Sequence, residues 1–179
     1  MTVMDELKHI EAAKKDPRQF RYLYDRYYKE IFLFVNRRAD DEHITADITQ
    51  TVFLKALQHL KNYEYRGIPF SAWLYRIAAN EVMQHFRDHS KVRTVCLETG
   101  DLNEMLEDDN SGIDPAKREQ VFAAIKKLTP QELELIEMRF FEKRPFKMIA
   151  DIKGITENNA KVKTYRILEK LKKQLTVEV

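Results

Sequence analysis

The chain has 179 residues, 44% of them hydrophobic and 34% charged, and its formal net charge is +2. This length suits one domain or two small ones, and the apolar content excludes a wholly disordered protein. No apolar run approaches the roughly 20 residues that span a bilayer, and the N-terminus is charged where a signal peptide is apolar. We therefore expect a soluble, cytoplasmic protein.

Three amphipathic helices are predicted in the first half of the chain, each from apolar residues at helical spacing. The first runs from Pro17 to about Arg38, and its apolar residues are Phe20, Leu23, Tyr24, Tyr27, Ile31 and Phe34. The second covers about Glu42 to Leu60, with four apolar residues at intervals of four: Ile44, Ile48, Val52 and Ala56. The third starts at Pro69 and continues to about Lys91, and its inward residues are Phe70, Leu74, Ile77 and Ala78.

The prolines mark helix starts, because backbone N–H groups in the first turn of a helix have no partner within the helix and proline, which lacks one, is tolerated there. All five stand where a helix can begin: Pro17, Pro69, Pro115, Pro130 and Pro145. Asp16, Asp114 and Thr129 are suitable N-caps, and Glu132, three residues after Thr129, completes a capping box. Since strand-like alternation is absent, the predicted fold is all-α.

Residues 94–114 hold seven acidic residues and no basic ones, a composition typical of a solvated linker. The segments before and after it have net charges of +3 and +6. We therefore expect two helical domains, at residues 1–92 and 114–179, joined by an acidic linker at residues 93–113. The basic domains favour a polyanion as partner, whereas the acidic linker suits a basic groove on another protein or transient masking of the domains.

An aromatic segment separates the second and third predicted helices. Within residues 61–76, aromatic side chains alternate with arginines, a pattern suited to stacking on unpaired bases with phosphate contacts. Phe70 and Trp73 fall at core spacing and are assigned mainly to packing. Tyr63, Tyr65 and Arg66 are the predicted ligand-binding residues of the loop.

Two helix faces in the first half are candidate surfaces. One side of the third helix displays polar residues that suit a nucleic-acid backbone or simple solvation: Arg76, Asn80, Gln84 and Arg87. The second helix has a mixed stripe away from its apolar side, formed by Asp47, Gln50, Thr51 and Leu54. A polar stripe that includes a leucine favours a protein partner.

Residues 145–175 have the pattern of a helix-turn-helix, which sets one helix into the DNA major groove. A short helix with Met148, Ile149 and Ile152 leads to Gly154, which tolerates the positive φ of a tight turn. Ile155 fills the angle between the helices, and Thr156 is the N-cap of a longer helix. The inward face of that helix consists of Ala160, Thr164, Ile167, Leu168, Leu171 and Leu175.

The outward face of the longer helix is short, polar and N-terminal, where base edges are read. It contains Asn158, Lys161, Val162 and Tyr165, flanked by predicted phosphate contacts at Lys163, Arg166, Lys170, Lys172 and Lys173. An amphipathic helix with a solvated basic face is the alternative. The exposed aromatic ring of Tyr165 favours DNA binding.

Residues for catalysis are missing from the sequence. A single cysteine, Cys96, excludes an internal disulfide and a cysteine-rich zinc site. His85 and His89 are four residues apart, a spacing at which two histidines can bind a metal on a helix face. The neighbouring Arg87 and Lys91 favour the alternative that they are two partly exposed helix side chains without a metal. No glycine-rich phosphate loop or nucleophile elbow is present. We predict no catalytic residue, metal or cofactor.

Together, the two halves resemble a bacterial sigma factor of the extracytoplasmic-function group, the smallest type in the sigma-70 family. The resemblance covers about residues 5–92 and 114–175. Its segments are FRYLYDRYYKEIFLFV, ADITQTVFLKALQHL, PFSAWLYRIAANEVMQHFR and LTPQELELIEMRFFEKRPFKMIADIKGITENNAKVKTYRILEKL. Their order and spacing, with a linker between them, make the resemblance specific.

The resemblance implies a role for each surface. The first domain corresponds to sigma region 2, which docks on the clamp of core RNA polymerase, here through Asp47, Gln50, Thr51 and Leu54. Region 2 also opens the -10 element of the promoter and captures a flipped base of the non-template strand. The residues implied in that task are Tyr63, Tyr65, Arg66, Arg76, Asn80, Gln84 and Arg87.

The second domain corresponds to region 4, which reads the -35 element and meets the polymerase flap. The residues implied in -35 recognition are Thr156, Asn158, Asn159, Lys161, Val162, Lys163, Tyr165 and Arg166. The linker resembles the family's segment that threads through basic polymerase channels. An anti-sigma factor is a partner that members of this group commonly have, and no homo-oligomer is indicated.

Three departures from the family's usual pattern bear on which promoter is read. Gln84 replaces a common aspartate, Leu168 replaces an arginine, and Asn158–Lys163 replace a frequent G-T-V-K-S-R. Two other functions fit parts of the sequence: a helix-turn-helix regulator that acts without polymerase, and a helical adaptor with solvated basic faces. The first leaves the aromatic loop and the acidic linker without a role.

Overall fold

The computed structural model describes residues 3–39, 41–88 and 115–177, and all regular secondary structure in these ranges is helical. This confirms the predicted all-α fold class. The chain divides into two compact units, one before and one after the boundary at residues 96 and 97. The predicted linker at residues 93–113 and the predicted N-cap Asp114 lie outside the described residues.

Within residues 3–39 and 41–88, the first unit contains four α-helices and two short 3-10 turns. The helices are α1 (Val3–Lys15), α2 (Arg21–Ala39), α3 (Glu42–His59) and α4 (Phe70–Asp88). The 3-10 turns are Pro17–Phe20 and Leu60–Asn62. Helices α2, α3 and α4 pack against one another, and α1 contacts α2 and both turns. The core between them is apolar and includes Leu23, Ile31, Val35, Val52, Ala56, Phe70, Leu74 and Ala78.

Three features of this unit differ from the prediction. The helix expected to be continuous from Pro17 begins as a 3-10 turn, which the Asp16 carboxylate caps by accepting a hydrogen bond from the Arg18 backbone N–H. Helix α1 was not predicted, although its buried residues Glu6, Ile10 and Ala13 follow helical spacing. Three residues expected to face inward lie half-buried at helix edges: Tyr24, Ile44 and Ile77.

The second unit contains α5 (Pro115–Lys126), α6 (Pro130–Ile136), a π-helical turn (Glu137–Phe141), α7 (Phe146–Lys153) and α8 (Glu157–Val177). Helix α8 packs against α5, α6 and α7. The predicted capping box is present, since Thr129 Oγ1 accepts from the Glu132 N–H while the Glu132 carboxylate accepts from the Thr129 N–H. This box fixes the start of α6.

The helix-turn-helix has the predicted geometry. Gly154 ends α7 with φ 66°, in the left-handed region that favours glycine. The Thr156 hydroxyl accepts a hydrogen bond from the Asn159 N–H at 3.2 Å and caps α8. Pro17 and Pro130 lie in the first turns of their helices, whereas Pro69 and Pro145 each precede the first helical residue.

Candidate nucleic-acid interface

The loop between the second 3-10 turn and α4 encloses a pocket of about 280 Å³. Its lining is aromatic and basic, with one carboxylate, and consists of Asn62, Tyr63, Glu64, Arg66, Ile68, Trp73 and Arg76. The volume lies just below the roughly 300–1,000 Å³ of small-molecule sites. An aromatic wall beside guanidinium groups suits one planar, hydrogen-bonding group attached to a phosphate chain.

The rings of Tyr63 and Trp73 form the floor of this pocket, and both pack on the buried ring of Phe70. The Tyr63 ring lies 5.2 Å from the Phe70 ring and 4.9 Å from the Trp73 ring, and the Phe70 and Trp73 rings are 5.3 Å apart. Phe70 is fully buried, as expected for a packing residue, and Trp73 is half-buried. Such contacts fix each ring against the others, so the floor is formed before any ligand arrives.

Tyr63 does not occupy the position that was predicted for it. It was expected to be an available loop side chain, but only 8% of its surface is exposed. Its ring is held between Phe70 and Trp73, and burial raises the pKa of its hydroxyl to about 12. Tyr63 therefore contributes to the pocket as part of the floor.

The rim of the pocket is the loop segment of residues 64–66: Glu64 and Arg66 line the pocket, and Tyr65 lies between them in the chain. Tyr65 is 42% exposed. Arg66 Nη2 lies 2.8 Å from Glu64 Oε2, and this hydrogen bond lowers the pKa of the Glu64 carboxyl. Gly67 follows with φ 77°, a conformation that lets the chain turn back toward α4. The rim thus combines an exposed ring with an oriented guanidinium group.

A polar face of α4 extends from the pocket. Arg76 lines the pocket, and the next members of the predicted set, Asn80, Gln84 and Arg87, are exposed along the same helix. The rise of an α-helix places Arg76 and Arg87 about 16 Å apart along its axis. Gln84 Nε2 donates to Asp88 Oδ1 at 2.6 Å. The face therefore offers a polar track several nucleotides long.

Helix α3 presents the stripe that was predicted to contact a protein. Asp47, Gln50 and Leu54 are exposed, and Leu54 has 56% of its surface accessible. Thr51 is half-buried, and its hydroxyl donates to the Asp47 carbonyl at 2.9 Å. Because that hydroxyl is already bonded within α3, the stripe presents chiefly the other three side chains.

In the second unit, the two faces of α8 separate as predicted. Ala160, Thr164, Ile167, Leu168 and Leu171 are buried, whereas Asn158, Lys161, Val162 and Tyr165 are exposed. The Tyr165 ring is 54% exposed and lies 6.0 Å from the Phe146 ring on α7. Lys161 Nζ is 3.3 Å from Glu157 Oε1. The first two turns of α8 thus present a compact polar and aromatic surface.

The remaining residues of the predicted -35 set lie around this surface. Thr156 and Asn159 are exposed, and the Thr156 hydroxyl is engaged in capping α8. Lys163 and Arg166 are exposed on the side of α8 that faces α6, where they line a groove of about 440 Å³ with Leu135 and Ile155. The predicted set therefore spans two adjoining sides of α8.

Lys170 differs from its predicted role as a phosphate contact. Its Nζ lies 2.8 Å and 3.0 Å from the two carboxylate oxygens of Glu132. Lys170 therefore ties the end of α8 to the capping box of α6, and this ion pair competes with any phosphate.

The described residues contain no cluster of three or more histidine, cysteine, aspartate or glutamate side chains placed to hold a metal ion. His89, the second histidine of the pair considered for a metal, lies outside the described residues. Among the helices within residues 3–39, 41–88 and 115–177, none combines the length and the apolarity needed to cross a membrane.

Comparison with known proteins matches both units to one family. Residues 23–92 match Sigma-70 region 2, and residues 124–173 match Sigma-70, region 4. The chain is 27% identical to the ECF RNA polymerase sigma factor BldN of Streptomyces coelicolor over 175 residues, which cover 97% of this chain and 66% of BldN. It is 24% identical to the ECF RNA polymerase sigma factor SigX of Bacillus subtilis, over 87% of this chain and 83% of SigX.

Solved structures share the fold. CnrH, solved in complex with the cytosolic domain of CnrY, aligns with a TM-score of 0.58 at 19% identity, over 96% of this chain and 97% of CnrH. The sigma factor RpoE from Bartonella quintana, solved in complex with the anti-sigma factor NepR, aligns with a TM-score of 0.55 at 17% identity. That alignment covers 90% of this chain and 99% of RpoE.

Regions 2 and 4 thus follow each other in the order that the sequence resemblance predicted, and both BldN and SigX, which align over most of this chain, are ECF RNA polymerase sigma factors. The chain belongs to the extracytoplasmic-function group of the sigma-70 family, the bacterial RNA polymerase sigma factors.

Proposed function

We propose that this protein is a promoter-specificity subunit, which binds core RNA polymerase in the cytoplasm and directs initiation at a defined set of promoters. The observation that carries the proposal is the pair of Sigma-70 regions on one chain, each with an exposed surface of suitable chemistry. It acts by binding alone. Neutralised phosphates, a trapped base and a protein interface supply the free energy.

We place recognition of the -35 element on the first turns of α8. The exposed residues Lys161, Val162 and Tyr165 combine a cation, an apolar contact and an aromatic ring. A helix presented in this way enters the major groove, where each base pair has its own pattern of donors, acceptors and methyl groups. Lys163 and Arg166 flank this surface and suit phosphate or base-edge contacts.

We place capture of the -10 element in the pocket before α4. A flipped base of the non-template strand would stack on the aromatic floor, with Tyr65 and Arg66 closing over it from the rim. The polar face of α4 would follow the backbone of the same strand. Unstacking a base step costs a few kcal/mol, which stacking in the pocket and phosphate contacts offset.

We place docking on core polymerase on the α3 stripe, with Leu54 as its apolar centre and Asp47 and Gln50 as polar neighbours. An exposed leucine surrounded by polar side chains is the usual composition of a small protein contact. By the same assignment, the second unit meets the polymerase flap while α8 lies on DNA.

Run-off transcription tests the function as a whole. Purified bacterial core polymerase is mixed with a genomic fragment library, with and without this protein. We expect discrete new transcripts whose start sites share an upstream motif. The matched comparison is a variant with Leu54→Asp at the same limiting concentration, which should give fewer transcripts from every promoter. Absence of transcripts, together with failure to co-elute with core polymerase and binding to duplex DNA alone, would instead support a regulator that acts without polymerase.

An anti-sigma factor is a second protein partner that we propose. Members of the group assemble with such proteins, as RpoE does with NepR, and both units of this chain expose apolar side chains, Leu54 on one and Val162 and Tyr165 on the other. The test adds a co-purified partner to the run-off reaction. Loss of transcripts that excess sigma factor restores would support the proposal, and unchanged transcription would oppose it.

A further inference from the structure

Helix α1 lies N-terminal to residue 23, where the match to Sigma-70 region 2 begins. It contacts the 3-10 turn at residues 60–62, which leads directly into the pocket loop. Ile10 and Ala13 of α1 are 1% and 2% exposed, and Leu60 of the turn is 1% exposed. The turn before the pocket therefore packs on a helix outside the matched region.

A buried carboxylate joins α1 to α2. Glu6 is only 8% exposed, and its Oε1 accepts a hydrogen bond from the Tyr27 hydroxyl, which is itself buried. A buried carboxylate without such a partner is strongly destabilising, so the hydrogen bond holds both side chains in place. Burial, and then the hydrogen bond to Glu6, raise the pKa of Tyr27. The hydroxyl therefore stays protonated and remains a donor.

The same pair reaches the pocket floor. The Tyr27 ring lies 5.8 Å from the Phe70 ring, and Phe70 in turn contacts Tyr63. The Glu6 carboxylate is also close enough to Tyr63 to raise the pKa of that hydroxyl, as the second cause after burial. A line of contacts thus runs from Glu6 through Tyr27 and Phe70 to the ring that forms the floor.

We propose that Glu6 is a positioning residue for base capture: through Tyr27 and Phe70 it holds the aromatic floor of the pocket in the geometry that receives an unpaired base. The inference rests on the proposed function of the pocket. Glu6 is buried behind the floor, so its effect on affinity should depend on an intact base in the pocket. Loss of general stability would have no such dependence.

The test measures binding of holoenzyme to short non-template-strand oligonucleotides that span the -10 element recovered by run-off transcription. Scanning single abasic sites with the wild-type protein identifies the captured position. The readout is the ratio of affinities for the intact oligonucleotide and for the one abasic at that position. For the wild type we expect a ratio of about 10 or more, which is within the range for one stacked base.

Three variants decide the inference. Glu6→Leu and Tyr27→Phe should each reduce the ratio about fivefold, while Glu6→Gln, which keeps an acceptor for Tyr27, should stay within about twofold of the wild type. The double variant Glu6→Leu/Tyr27→Phe should reduce the ratio no further than either single variant, because both changes break the same hydrogen bond. Lys8→Gln, on the exposed side of α1, is the control and should leave the ratio unchanged.

Each result has a distinct meaning. A wild-type ratio near 1 at every position would overturn the proposed capture function itself. A normal wild-type ratio that Glu6→Leu and Tyr27→Phe leave unchanged would overturn the role of Glu6 and leave capture standing. Equal losses on intact and abasic DNA would also overturn it, since they indicate destabilisation alone. If Glu6→Leu does not fold, Tyr27→Phe, which keeps the ring, decides the matter by the same ratio.

Discussion

At the scale of single residues, two neighbouring tyrosines of the pocket loop have different tasks. Tyr63 is 8% exposed and lies in the floor, whereas Tyr65 is 42% exposed at the rim. The sequence predicted a ligand-binding role for both, because both are tyrosines and they lie two residues apart in the same loop. The distinction comes from ring contacts with Phe70 and Trp73, which depend on how the loop folds back on α4.

Tyr65→Ala should slow open-complex formation while leaving polymerase binding unchanged. Removing one stacking ring costs about 1–3 kcal/mol of base binding, and Tyr65, which is 42% exposed, is not part of the buried core. Permanganate footprinting of the -10 element measures opening, and co-elution with core polymerase measures assembly. Tyr22→Ala is the matched control, because Tyr22 is also 42% exposed but stacks on His9 away from the pocket. An unchanged footprint for Tyr65→Ala would contradict the assignment.

Arg166→Ala should weaken transcription through the -35 element by about 1–3 kcal/mol, the cost of losing one guanidinium contact to a base. The side chain is exposed on α8 beside Lys163. Promoters with the true and a scrambled -35 sequence are compared in run-off assays, with Lys126→Ala as the control, because Lys126 is an exposed cation on α5 outside the predicted DNA-binding set. Equal losses on both promoters would mean that Arg166 contacts phosphate and reads no base.

At the scale of elements, helix starts and the helix-turn-helix were predictable because their signals are local. Asp16, Thr129, Gly154 and Thr156 occupy the caps and the turn that their chemistry favours. The π-helical turn was not predicted. It is defined by a hydrogen bond from the Glu142 N–H to the Glu137 carbonyl, and the six consecutive buried residues at 133–138 leave no one-sided periodicity to detect.

Glu132 joins two elements of the second unit, since its carboxylate completes the α6 capping box and also pairs with Lys170 on α8. Glu132→Gln keeps an acceptor for the cap and should lower the free energy of unfolding by less than about 1 kcal/mol, the value of a partly exposed ion pair. Glu132→Ala removes the cap contact as well and should cost about 1 kcal/mol more. Hydrogen exchange of α6 amides in the full chain measures both losses. Equal protection in the two variants would contradict this division.

The contribution of Glu132 should depend on pH in a defined direction. The hydrogen bond from Lys170 is the main reason that the pKa of this carboxyl lies below its ordinary 4.5. A carboxyl whose pKa is lower in the folded state stabilises the fold above its unfolded pKa and loses that effect as the pH falls through the folded value. The stability difference between wild type and Glu132→Gln should therefore be constant near neutral pH and shrink below about pH 4.5. A difference that persists at pH 2 would contradict the ion pair as its source.

At the scale of the whole molecule, the order of the motifs is enough to identify the family, because both regions leave periodic apolar residues and fixed turn signals in the sequence. The buried contacts that hold each surface in place leave no such signal in the sequence. The N-terminal residues are predicted only to be charged, yet the buried face of α1 packs beside the turn before the pocket. The sequence predicts a phosphate contact for Lys170, because its ion-pair partner, Glu132, is 38 residues away and local spacing does not reveal the pair.

Because polymerase docking and DNA recognition are assigned to different surfaces, we expect substitutions in the α3 stripe to affect assembly alone and substitutions on α8 to affect promoter recognition alone. Leu54 is 56% exposed at the centre of the α3 stripe, so Leu54→Asp places a charge where core polymerase would exclude water. We expect assembly about tenfold weaker or worse, since apolar residues at the centre of a contact dominate its energy. Transcription should then fall at every promoter alike, unlike the promoter-dependent losses from Arg166→Ala.

Leu33→Asp provides the matched control, because Leu33 is 48% exposed on α2 of the same unit and outside the stripe. Competition with a labelled sigma factor for core polymerase measures assembly directly. Excess Leu54→Asp protein should restore transcription at all promoters in parallel, since only the assembly step is weakened by mass action. Normal competition by Leu54→Asp, or an equal defect in Leu33→Asp, would remove α3 from the polymerase interface and leave the two DNA surfaces unaffected.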